Sequence, residues 1–331
     1  MPTNTQILLD HRPTEKVSPA NFRIVETPVP APGPGQVLVR HTFLSLDPYM
    51  RGRLSDAKNY AKPQEIGAVM GGGTVGVVEA SMNPRFKAGD SVVGMGGWQH
   101  YSVSDGGGLR VVDAKTIPIQ AYLGPVGMPG VTAWYGLNKI IAPEPNETVL
   151  VSAATGAVGS VVGQLAKLAG ARAVGIAGRP EKCACAVREL GYDACVDHKS
   201  LRFPEDLKDA LSNGVDGLFE NVGGEPFRQA LKRLNDFSRI AVCGVIASYE
   251  GEPTAVPDLR LFIVRRIKME GFLQGDHTDL WPKAIGELVG LVAAKKLTWR
   301  ETIRDGLENA PQALIDLLHG QNFGKMLVRV D

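Results

Sequence analysis

One turn between an apolar strand and an amphipathic helix constrains the fold of this chain more than any other segment. The predicted strand covers 148–154, the turn reads Thr155-Gly156-Ala157-Val158-Gly159, and Gly163 lies in the helix that follows. Glycines let the backbone turn sharply and approach a pyrophosphate, while N–H groups at the helix N-terminus face the phosphates. Ala154 replaces the first glycine of the G-x-G-x-x-G pattern, so an ordinary tight turn is the alternative interpretation. Apolar residues at helical spacing across 158–169 favour a dinucleotide-binding turn.

The next predicted strand, 171–177, indicates which dinucleotide is bound. NAD enzymes usually place an acidic residue at this strand end, about 20 residues after the glycine turn, where it binds the ribose 2′-hydroxyl. No acid occupies that strand end here, which continues into Gly178, Arg179 and, three residues later, Lys182. A guanidinium binds an extra phosphate in bidentate fashion, and a lysine adds a point charge. The sequence therefore predicts NADP(H) rather than NAD(H); solvated surface charges beside a helix start are the alternative interpretation.

Composition narrows the class of protein. The 331 residues are 44% hydrophobic and carry a formal net charge of +1. This length predicts two domains, and the balanced charge argues against nucleic acid or a membrane surface as partner. We expect neither a signal peptide nor a membrane span. The four cysteines do not indicate a disulfide framework, so we expect a cytoplasmic protein. All four are interpreted as small core or half-buried residues rather than metal ligands: Cys183, Cys185, Cys195 and Cys243.

The pattern of elements changes once along the chain. The first third is rich in Gly and Pro, with short predicted strands at 36–42, 73–79 and 91–94, and predicts an irregular β domain. From about Gly127, helices alternate with strands, which predicts a doubly wound parallel sheet. The further predicted elements are strands at 193–197, 214–220 and 239–245, a helix near 132–139, and one marked by Phe227, Ala230, Leu231 and Leu234.

The tail of the chain predicts two helices and a strand. Apolar stripes indicate helices near 281–292 and 310–318, the second with a capping box formed by Asn309 and Gln312. A last strand at 325–330 is placed to rejoin the first domain. We therefore predict a β-rich domain at 1–126 and 302–331, and a dinucleotide-binding domain at 127–301.

Several short stretches together resemble a known family. They are Leu46-Asp47-Pro48-Tyr49-Met50-Arg51-Gly52, Gly127-Met128-Pro129-Gly130-Val131-Thr132-Ala133, Glu220-Asn221-Val222-Gly223-Gly224, Glu308-Asn309-Ala310-Pro311 and Asn322-Phe323-Gly324-Lys325. With the glycine turn, they are similar to the zinc-independent branch of the medium-chain dehydrogenase/reductase superfamily. This branch contains prostaglandin/leukotriene reductases, plant alkenal double-bond reductases and bacterial curcumin reductases. The resemblance implies a GroES-like β domain followed by a Rossmann domain.

The residues themselves argue against a catalytic zinc. Zinc alcohol dehydrogenases of the superfamily place a cysteine ligand after the early strand and a Gly-His-Glu triplet shortly afterwards. Those regions read Ser45-Leu46-Asp47-Pro48-Tyr49 and Gly71-Gly72-Gly73 here, and no cysteine precedes Cys183. Zinc sites are built from thiolate, imidazole and carboxylate ligands. Reduction of an activated C=C bond needs no metal, because the conjugated carbonyl already accepts electrons.

The resemblance implies NADPH-dependent reduction of the C=C bond of α,β-unsaturated ketones and aldehydes, an oxidoreductase activity on CH–CH groups. A hydrogen-bond donor would stabilise the enolate, and Tyr49 and Tyr249 are the candidates. Packing of the cleft wall is the alternative role for each. Animal and plant members carry a tyrosine shortly before Met269-Glu270-Gly271-Phe272, where this chain has Val264.

The predicted cofactor-binding residues lie in several parts of the chain. They are Thr155, Gly156, Ala157 and Val158; Gly178, Arg179, Lys182 and His198; Asn221; Cys243 and Val245; Phe272 and Leu273; and, from outside these turns, Met128, Thr132 and Asn322. The alternative interpretation of His198 is that it is a surface histidine without a role in binding. We expect an apolar substrate cleft lined by Tyr49, Tyr249, Met50, Trp98 and Phe272.

Two other functions are compatible with the sequence. A zinc-free NADPH quinone reductase would share the fold and the cofactor and differ only in substrate. A crystallin-like protein would bind NADPH without turnover. The resemblance further implies a homodimer formed through the edge of the Rossmann sheet, acting on a small-molecule enone or enal.

Overall fold

The computed structural model describes residues 3–251 and 257–330 of the chain. Contacts divide it into two compact units: Met1–Leu123 with Glu301–Asp331, the β-rich unit, and Gly124–Arg300, the α/β unit. The first domain border predicted from sequence, after residue 126, lies three residues beyond the observed one, and the second, at residue 302, lies one residue beyond it. No helix within the described ranges is long and apolar enough to cross a membrane.

The described strands and helices have these bounds. The strands are β1 Thr3–Leu9, β2 Phe22–Pro28, β3 Val37–Ser45, β4 Thr74–Ser81, β5 Ser91–Gly94, β6 Tyr101–Ser104, β7 Arg110–Val111, β8 Thr148–Ser152, β9 Arg172–Ala177, β10 Ala194–Asp197, β11 Val215–Glu220, β12 Leu234–Val242, β13 Lys268–Gly271, β14 Glu301–Asp305 and β15 Lys325–Arg329. The α-helices are α1 Tyr49–Arg53, α2 Met128–Tyr135, α3 Gly159–Leu168, α4 Pro180–Arg188, α5 Phe203–Ala210, α6 Gly224–Leu231, α7 Leu259–Arg265, α8 Trp281–Ala293 and α9 Ala310–Leu318.

The β-rich unit contains a two-stranded sheet of β1 and β2 and a seven-stranded sheet in the order β14-β15-β3-β4-β5-β7, with β6 also paired to β3. The last strand lies antiparallel to β3, with Leu327 opposite Ser45, so the prediction that the C-terminal strand rejoins the first domain is confirmed. Apolar residues of β3 and β15 pack with α9 in one buried cluster that includes Leu44, Val328 and Leu314. The fold of this unit therefore needs both ends of the chain.

Two residues predicted to line a substrate cleft lie in this core instead. Trp98 is fully buried and stacks on Phe22 with ring centroids 5.4 Å apart. Met50 is 1% exposed and belongs to the same cluster. The prediction for both was wrong, because large apolar side chains beside a predicted site gain more from core burial than from lining an open surface.

The α/β unit is built on a six-stranded parallel sheet in the order β10-β9-β8-β11-β12-β13. Strands β8 and β9 are short, mostly apolar and buried, as expected for strands covered on both faces. Leu150 of β8 lies between Val174 of β9 and Leu218 of β11. Helices α5 and α6 bury Leu207 and Phe227 against these strands. The predicted doubly wound parallel sheet is confirmed.

Around β12 and β13 the structure differs from the sequence prediction. Leu234 was assigned to a helix but begins β12, because α6 already ends at Leu231. Strand β12 stops at Val242, which leaves Cys243 and Val245 in the loop beyond the strand. The sixth strand, β13, was not anticipated: its alternate residues include charged ones, as an edge strand allows.

The capping box predicted for α9 does not form. Asn309 has helical backbone angles, and its side-chain amide donates to the Asp305 carbonyl at 2.7 Å. Gln312 donates instead to Asp316, one turn further along the helix, at 2.9 Å. A preceding 3-10 turn, Leu307–Asn309, brings the chain into α9 already helical, so no residue with extended backbone angles is available as the cap.

Candidate functional site

Strand order in the α/β unit defines where a ligand would bind. From β8 the chain builds outward through β9 and β10, then returns to place β11 on the opposite side of β8. Loops leave the carboxyl ends of β8 and β11 in opposite directions, and a crevice opens at such a reversal point. The residues directly at these two strand ends are Ser152, Ala153 and Glu220, Asn221.

The turn after β8 is tightly folded. Ala153 has φ of 50°, in the left-handed region that glycine usually occupies. A Cβ at Gly159 would lie 2.3 Å from the Ala153 carbonyl oxygen, so only glycine fits at the start of α3. A Cβ at Gly163 would meet the Tyr192 ring at 2.1 Å. These glycines therefore bring helix α3 close to the strands and aim its N-terminus at the carboxyl edge, where Thr155 to Val158 lie.

The turn after β9 concentrates positive charge. Arg179 has φ of 88°, a strained conformation for a residue with a side chain. The Asp197 carboxylate at the end of β10 holds this turn, accepting from the backbone N–H groups of Arg179 and Lys199 at 2.9 Å each. His198 lies between them in sequence, and a Cβ at Gly178 would come within 2.8 Å of its ring. Gly178, Arg179 and His198 are thus brought together.

Lysine side chains complete this cationic cluster. Burial, together with the positive charges of Arg179 and Lys199, lowers the pKa of Lys182 to about 8. Like charges held together in this way are relieved when an anion binds between them. Lys199 was not predicted as a site residue, although it follows the predicted His198 directly. The three cations concentrate positive charge at the ends of β9 and β10.

The carboxyl ends of β8 and β11 are tied together by a buried carboxyl group. Glu220 Oε1 accepts from the Ser152 hydroxyl at 3.0 Å and from the N–H groups of Val222 and Gly223 at 2.6 and 2.7 Å. Asn221 adds two bonds to Ser152, from its backbone N–H at 2.7 Å and its side-chain amide at 2.8 Å. The turn after β11 is therefore fixed against β8 at the reversal point.

The other oxygen of Glu220 has a different environment. Oε2 is buried and has no hydrogen-bond partner among the described residues. Burial raises the pKa of Glu220 to about 7, against the opposing effect of the hydrogen bonds to Oε1. The nearby carboxyl group in turn adds to burial in raising the pKa of the Cys243 thiol to about 12. Glu220 therefore titrates near neutral pH inside the predicted binding edge.

The loop after β12 packs on this turn. Cys243 donates its N–H to the Glu220 carbonyl at 2.8 Å, and the N–H of Ile246 reaches the Asn221 carbonyl at 3.2 Å. Val245 precedes a 3-10 turn, Ile246–Glu250, that carries Tyr249 in a half-buried position. Strand β12 ends at Val242, earlier than the sequence predicted, so the loop beyond it begins at Cys243. One edge of the sheet therefore carries Asn221, Cys243, Val245 and Tyr249.

Two further predicted segments lie in the same unit. Phe272 directly follows β13 and stacks on Tyr135 of α2 with centroids 5.5 Å apart, while Leu273 beside it is partly exposed. On α2, Thr132 donates its hydroxyl back to the Met128 carbonyl at 2.8 Å. That bond satisfies the Thr132 hydroxyl proton and leaves its oxygen able to accept.

Tyr49 and Asn322 lie in the β-rich unit. Tyr49 begins α1 and packs against the core cluster of that unit. Burial raises the pKa of its phenol, and the Asp47 carboxylate raises it further, so the hydroxyl keeps its proton far above neutral pH. Asn322 is buried and donates its side-chain amide to the Gly324 carbonyl at 2.6 Å.

The cysteines and acidic residues of the described segments make no cluster of three or more metal-binding groups. All four cysteines are free thiols. Cys183 and Cys195 share a hydrogen bond that lowers the pKa of Cys183 and, with burial, raises that of Cys195.

The α/β unit fits a phosphorylated dinucleotide. The turn after β8 offers backbone N–H groups at a helix N-terminus, and the turn after β9 brings cationic side chains to the end of the neighbouring strand. Sequence reasoning missed Lys199, Ser152 and the role of Glu220. The motif Glu220-Asn221-Val222-Gly223-Gly224 was the available signal for the last.

Comparison with known proteins gives concordant similarities along the chain. Residues 5–112 match the family model described as N-terminal domain of oxidoreductase, and residues 157–290 the model described as zinc-binding dehydrogenase. The NADPH-dependent curcumin reductase of Escherichia coli K12 is 45% identical, covering 99% of this chain and 97% of that protein. The NADP-dependent 2-alkenal reductase of Nicotiana tabacum is 38% identical, with 99% and 98% covered. The crystal structure of Vibrio vulnificus CurA in complex with NADPH matches with a TM-score of 0.94 at 43% identity, covering 99% of both chains.

The raised pKa of Glu220 predicts a pH-dependent loss of stability. Its pKa is about 7 in the folded protein against 4.5 for an unperturbed group, so the folded state binds more protons between these values. The free energy of unfolding therefore falls as pH rises from about 4.5 to 7, by up to about 3 kcal/mol, and stays lower above that range. Glu220→Gln keeps the Oε1 acceptor but cannot ionise, so we expect it to lose this contribution.

Urea unfolding of both proteins at several pH values from about 5 to 8 measures the effect. The stability of the wild type relative to Glu220→Gln should decline across this range. Glu225→Gln, at an exposed position on α6, is the control and should show no such trend. A constant difference between wild type and Glu220→Gln would contradict the assignment.

Proposed function

The chain belongs to the zinc-independent, enone-reductase branch of the medium-chain dehydrogenase/reductase superfamily, and we propose that it catalyses NADPH-dependent reduction of the C=C bond of α,β-unsaturated ketones and aldehydes. The observation that carries this proposal is the cationic cluster beside the dinucleotide-binding turn, in a chain similar along its whole length to a curcumin reductase and a 2-alkenal reductase. A 2-alkenal is an aldehyde with a C=C bond conjugated to its carbonyl.

Residues along the carboxyl edge of the sheet would hold the cofactor. Backbone N–H groups of Thr155 to Val158 would bind the pyrophosphate, while Gly178, Arg179, Lys182 and Lys199 would bind the 2′-phosphate. His198 would lie at the adenine end. The residues assigned to the ribose and nicotinamide are Asn221, Cys243, Val245, Phe272, Leu273, Met128, Thr132 and Asn322. When bound, NADPH supplies the hydride for the β-carbon of the substrate.

The residues of the chain orient the substrate and stabilise charge on it. As the C=C bond is reduced, negative charge develops on the carbonyl oxygen, and a hydrogen-bond donor directed at that oxygen lowers the barrier. Tyr49 and Tyr249 are the proposed donors. The raised pKa of Tyr49 keeps its hydroxyl protonated at neutral pH, as this role requires. A proton then reaches the α-carbon from a tyrosine or from water.

Removing the cationic side chains should change cofactor preference. We expect Arg179→Ala and Lys182→Ala each to raise KM for NADPH by roughly tenfold or more, since a charged hydrogen bond contributes about 1.5–3 kcal/mol. KM for NADH, which lacks the 2′-phosphate, should change little. Arg188→Ala, at the exposed end of the same helix α4, is the matched control. Equal losses with NADPH and NADH would mean that these residues do not bind the phosphate.

Removal of a hydroxyl should identify the donor. We expect the tyrosine that donates to the enolate oxygen to lose about a hundredfold in kcat when changed to Phe, with KM for NADPH unchanged. The assay is NADPH consumption with trans-2-nonenal or 3-nonen-2-one, with mass spectrometry of the saturated product. Tyr49→Phe and Tyr249→Phe are compared with Tyr101→Phe, on strand β6, as the control.

The same assay tests the function itself. Turnover of quinones without reduction of enones would favour a quinone reductase. NADPH binding with no turnover of either substrate class would favour a binding protein.

We also propose that two copies associate through the free edge of the parallel sheet. Strand β13 is the last in the sheet order, and no residue of the described helix α7 is buried. Apolar side chains are nevertheless exposed there: Ile263 at 78%, Val264 at 56% and Met269 at 43%. A contiguous apolar surface beside an unpaired strand edge is typical of an interface.

Light scattering should therefore give the mass of a dimer, and Ile263→Asp should shift it toward a monomer. Leu201→Asp is the control, because Leu201 is an even more exposed aliphatic residue at a position outside this edge. A monomer mass for the wild type would contradict the proposal.

A cytoplasmic location is proposed as well. Its support is that all four cysteines are free thiols, which fits a reducing compartment. Cell fractionation that recovers the protein outside the cytoplasm would contradict it.

A further inference from the structure

A buried lysine ammonium lies beneath the segment that carries Tyr49. Lys325 is the first residue of β15, and its side chain is 3% exposed. Its Nζ donates to the Leu46 carbonyl at 2.5 Å, to the Asp47 carboxylate at 3.1 Å and to the Met326 carbonyl at 3.0 Å. An ammonium group has three protons, and three acceptors surround this one.

The partner carboxylate is fixed from its other side. Asp47 Oδ2 accepts from the Ser45 hydroxyl at 2.5 Å, while Oδ1 receives the lysine. The Asp47 carbonyl then accepts the N–H of Met50 at 3.1 Å, in the first turn of α1. Ser45, Asp47 and Lys325 thus hold the backbone between the end of β3 and the start of α1, which is the backbone that sets the position of Tyr49.

A buried ion pair in this position is an unfavourable way to occupy core volume. Taking two charges out of water carries a large desolvation penalty, which an apolar pair of similar volume avoids. Desolvation is also the main cause that lowers the pKa of Lys325. The neighbouring residues of β15, Met326 to Val328, are all apolar and buried. Directional bonds to Asp47 and to the Leu46 carbonyl supply what an apolar side chain in the same space lacks.

We propose that Lys325, through Asp47, is a positioning residue for Tyr49 in the reduction reaction. This inference rests on the proposed function and on Tyr49 as the donor. The two halves of the ion pair are 278 residues apart in sequence and come from two of the motifs that carry the family resemblance. Small displacements of a donor cost much of its effect on rate, so the backbone that carries it must be held firmly.

Kinetics of variants in two backgrounds test the proposal. We expect Lys325→Met to lower kcat for an enone about ten- to a hundredfold with KM for NADPH unchanged, and Ser45→Ala, which removes one bond to Asp47, to lower kcat by a smaller factor. In a Tyr49→Phe background both changes should have little further effect on kcat, because the group they position is gone. Lys115→Met, at an exposed lysine of the same unit, should leave kcat unchanged.

The outcomes separate the possible failures. If Lys325→Met lowers kcat by the same factor in the Tyr49→Phe background as in the wild type, Lys325 has a purely structural role and the inference is overturned. If Tyr49→Phe leaves kcat unchanged in an enzyme that does reduce enones, the inference is overturned as well, while the proposed function stands. Absence of enone reduction by the wild type would instead refute the function. If Lys325→Met fails to fold, as urea unfolding would show, the Ser45→Ala comparison decides.

Discussion

Much of the binding edge of the α/β unit depends on one buried carboxyl group. Glu220 joins the end of β11 to Ser152 at the end of β8, and its own main chain holds Cys243 at the end of β12. The turn that Glu220 closes contains Gly223 and Gly224, both with positive φ. Glycine adopts these backbone angles without strain, and hydrogen bonds that converge on one carboxylate oxygen fix the turn. The position of Asn221 follows from that network.

A second constraint is electrostatic and lies two strands away. Asp197 draws together the backbone of Arg179 and Lys199, which crowds cations that would otherwise separate. Burial is the main cause that lowers the pKa of Lys182, and the neighbouring charges of Arg179 and Lys199 add to it. The repulsion between these cations is relieved when an anionic group binds beside them, and the extra phosphate group of NADPH is the simplest such group. The preference for NADPH is thus attributed to a cluster formed by two loops rather than to Arg179 alone.

The β-rich unit uses a buried ion pair for the corresponding purpose. Lys325 arrives on the last strand, yet its hydrogen bonds end on the turn after β3. The C-terminal strand therefore holds the segment that carries Tyr49 and also contributes to the core, where Val328 packs with Leu44. In both units a charged group deep in the structure holds the backbone of a residue that we assign to binding or catalysis.

The sequence alone predicted most of the fold and the general place of the site. Period and glycine placement are local properties, so strands such as 171–177 and the turn at 155–159 could be recognised, and the doubly wound sheet followed from their alternation. The sequence was less reliable at boundaries: Leu234 fits a helical stripe and a buried strand equally well. It also failed for Trp98 and Met50, since an apolar residue near a predicted site carries no local mark of whether it faces the core or a ligand.

What the sequence by itself determined is the class of fold, the family, and the presence of a cationic strand end that favours NADPH. Only the tertiary structure decided which side chains meet there. Lys199 joins Arg179 through Asp197, Glu220 meets Ser152 across 68 residues of sequence, and Lys325 meets Asp47 across 278. Such contacts depend on the order and register of strands that are distant along the chain, and no local periodicity records that order. The chemistry of each residue can be read from the sequence. The separate buried environments that shift the pKa of Glu220 and the pKa of Lys182 exist only after folding.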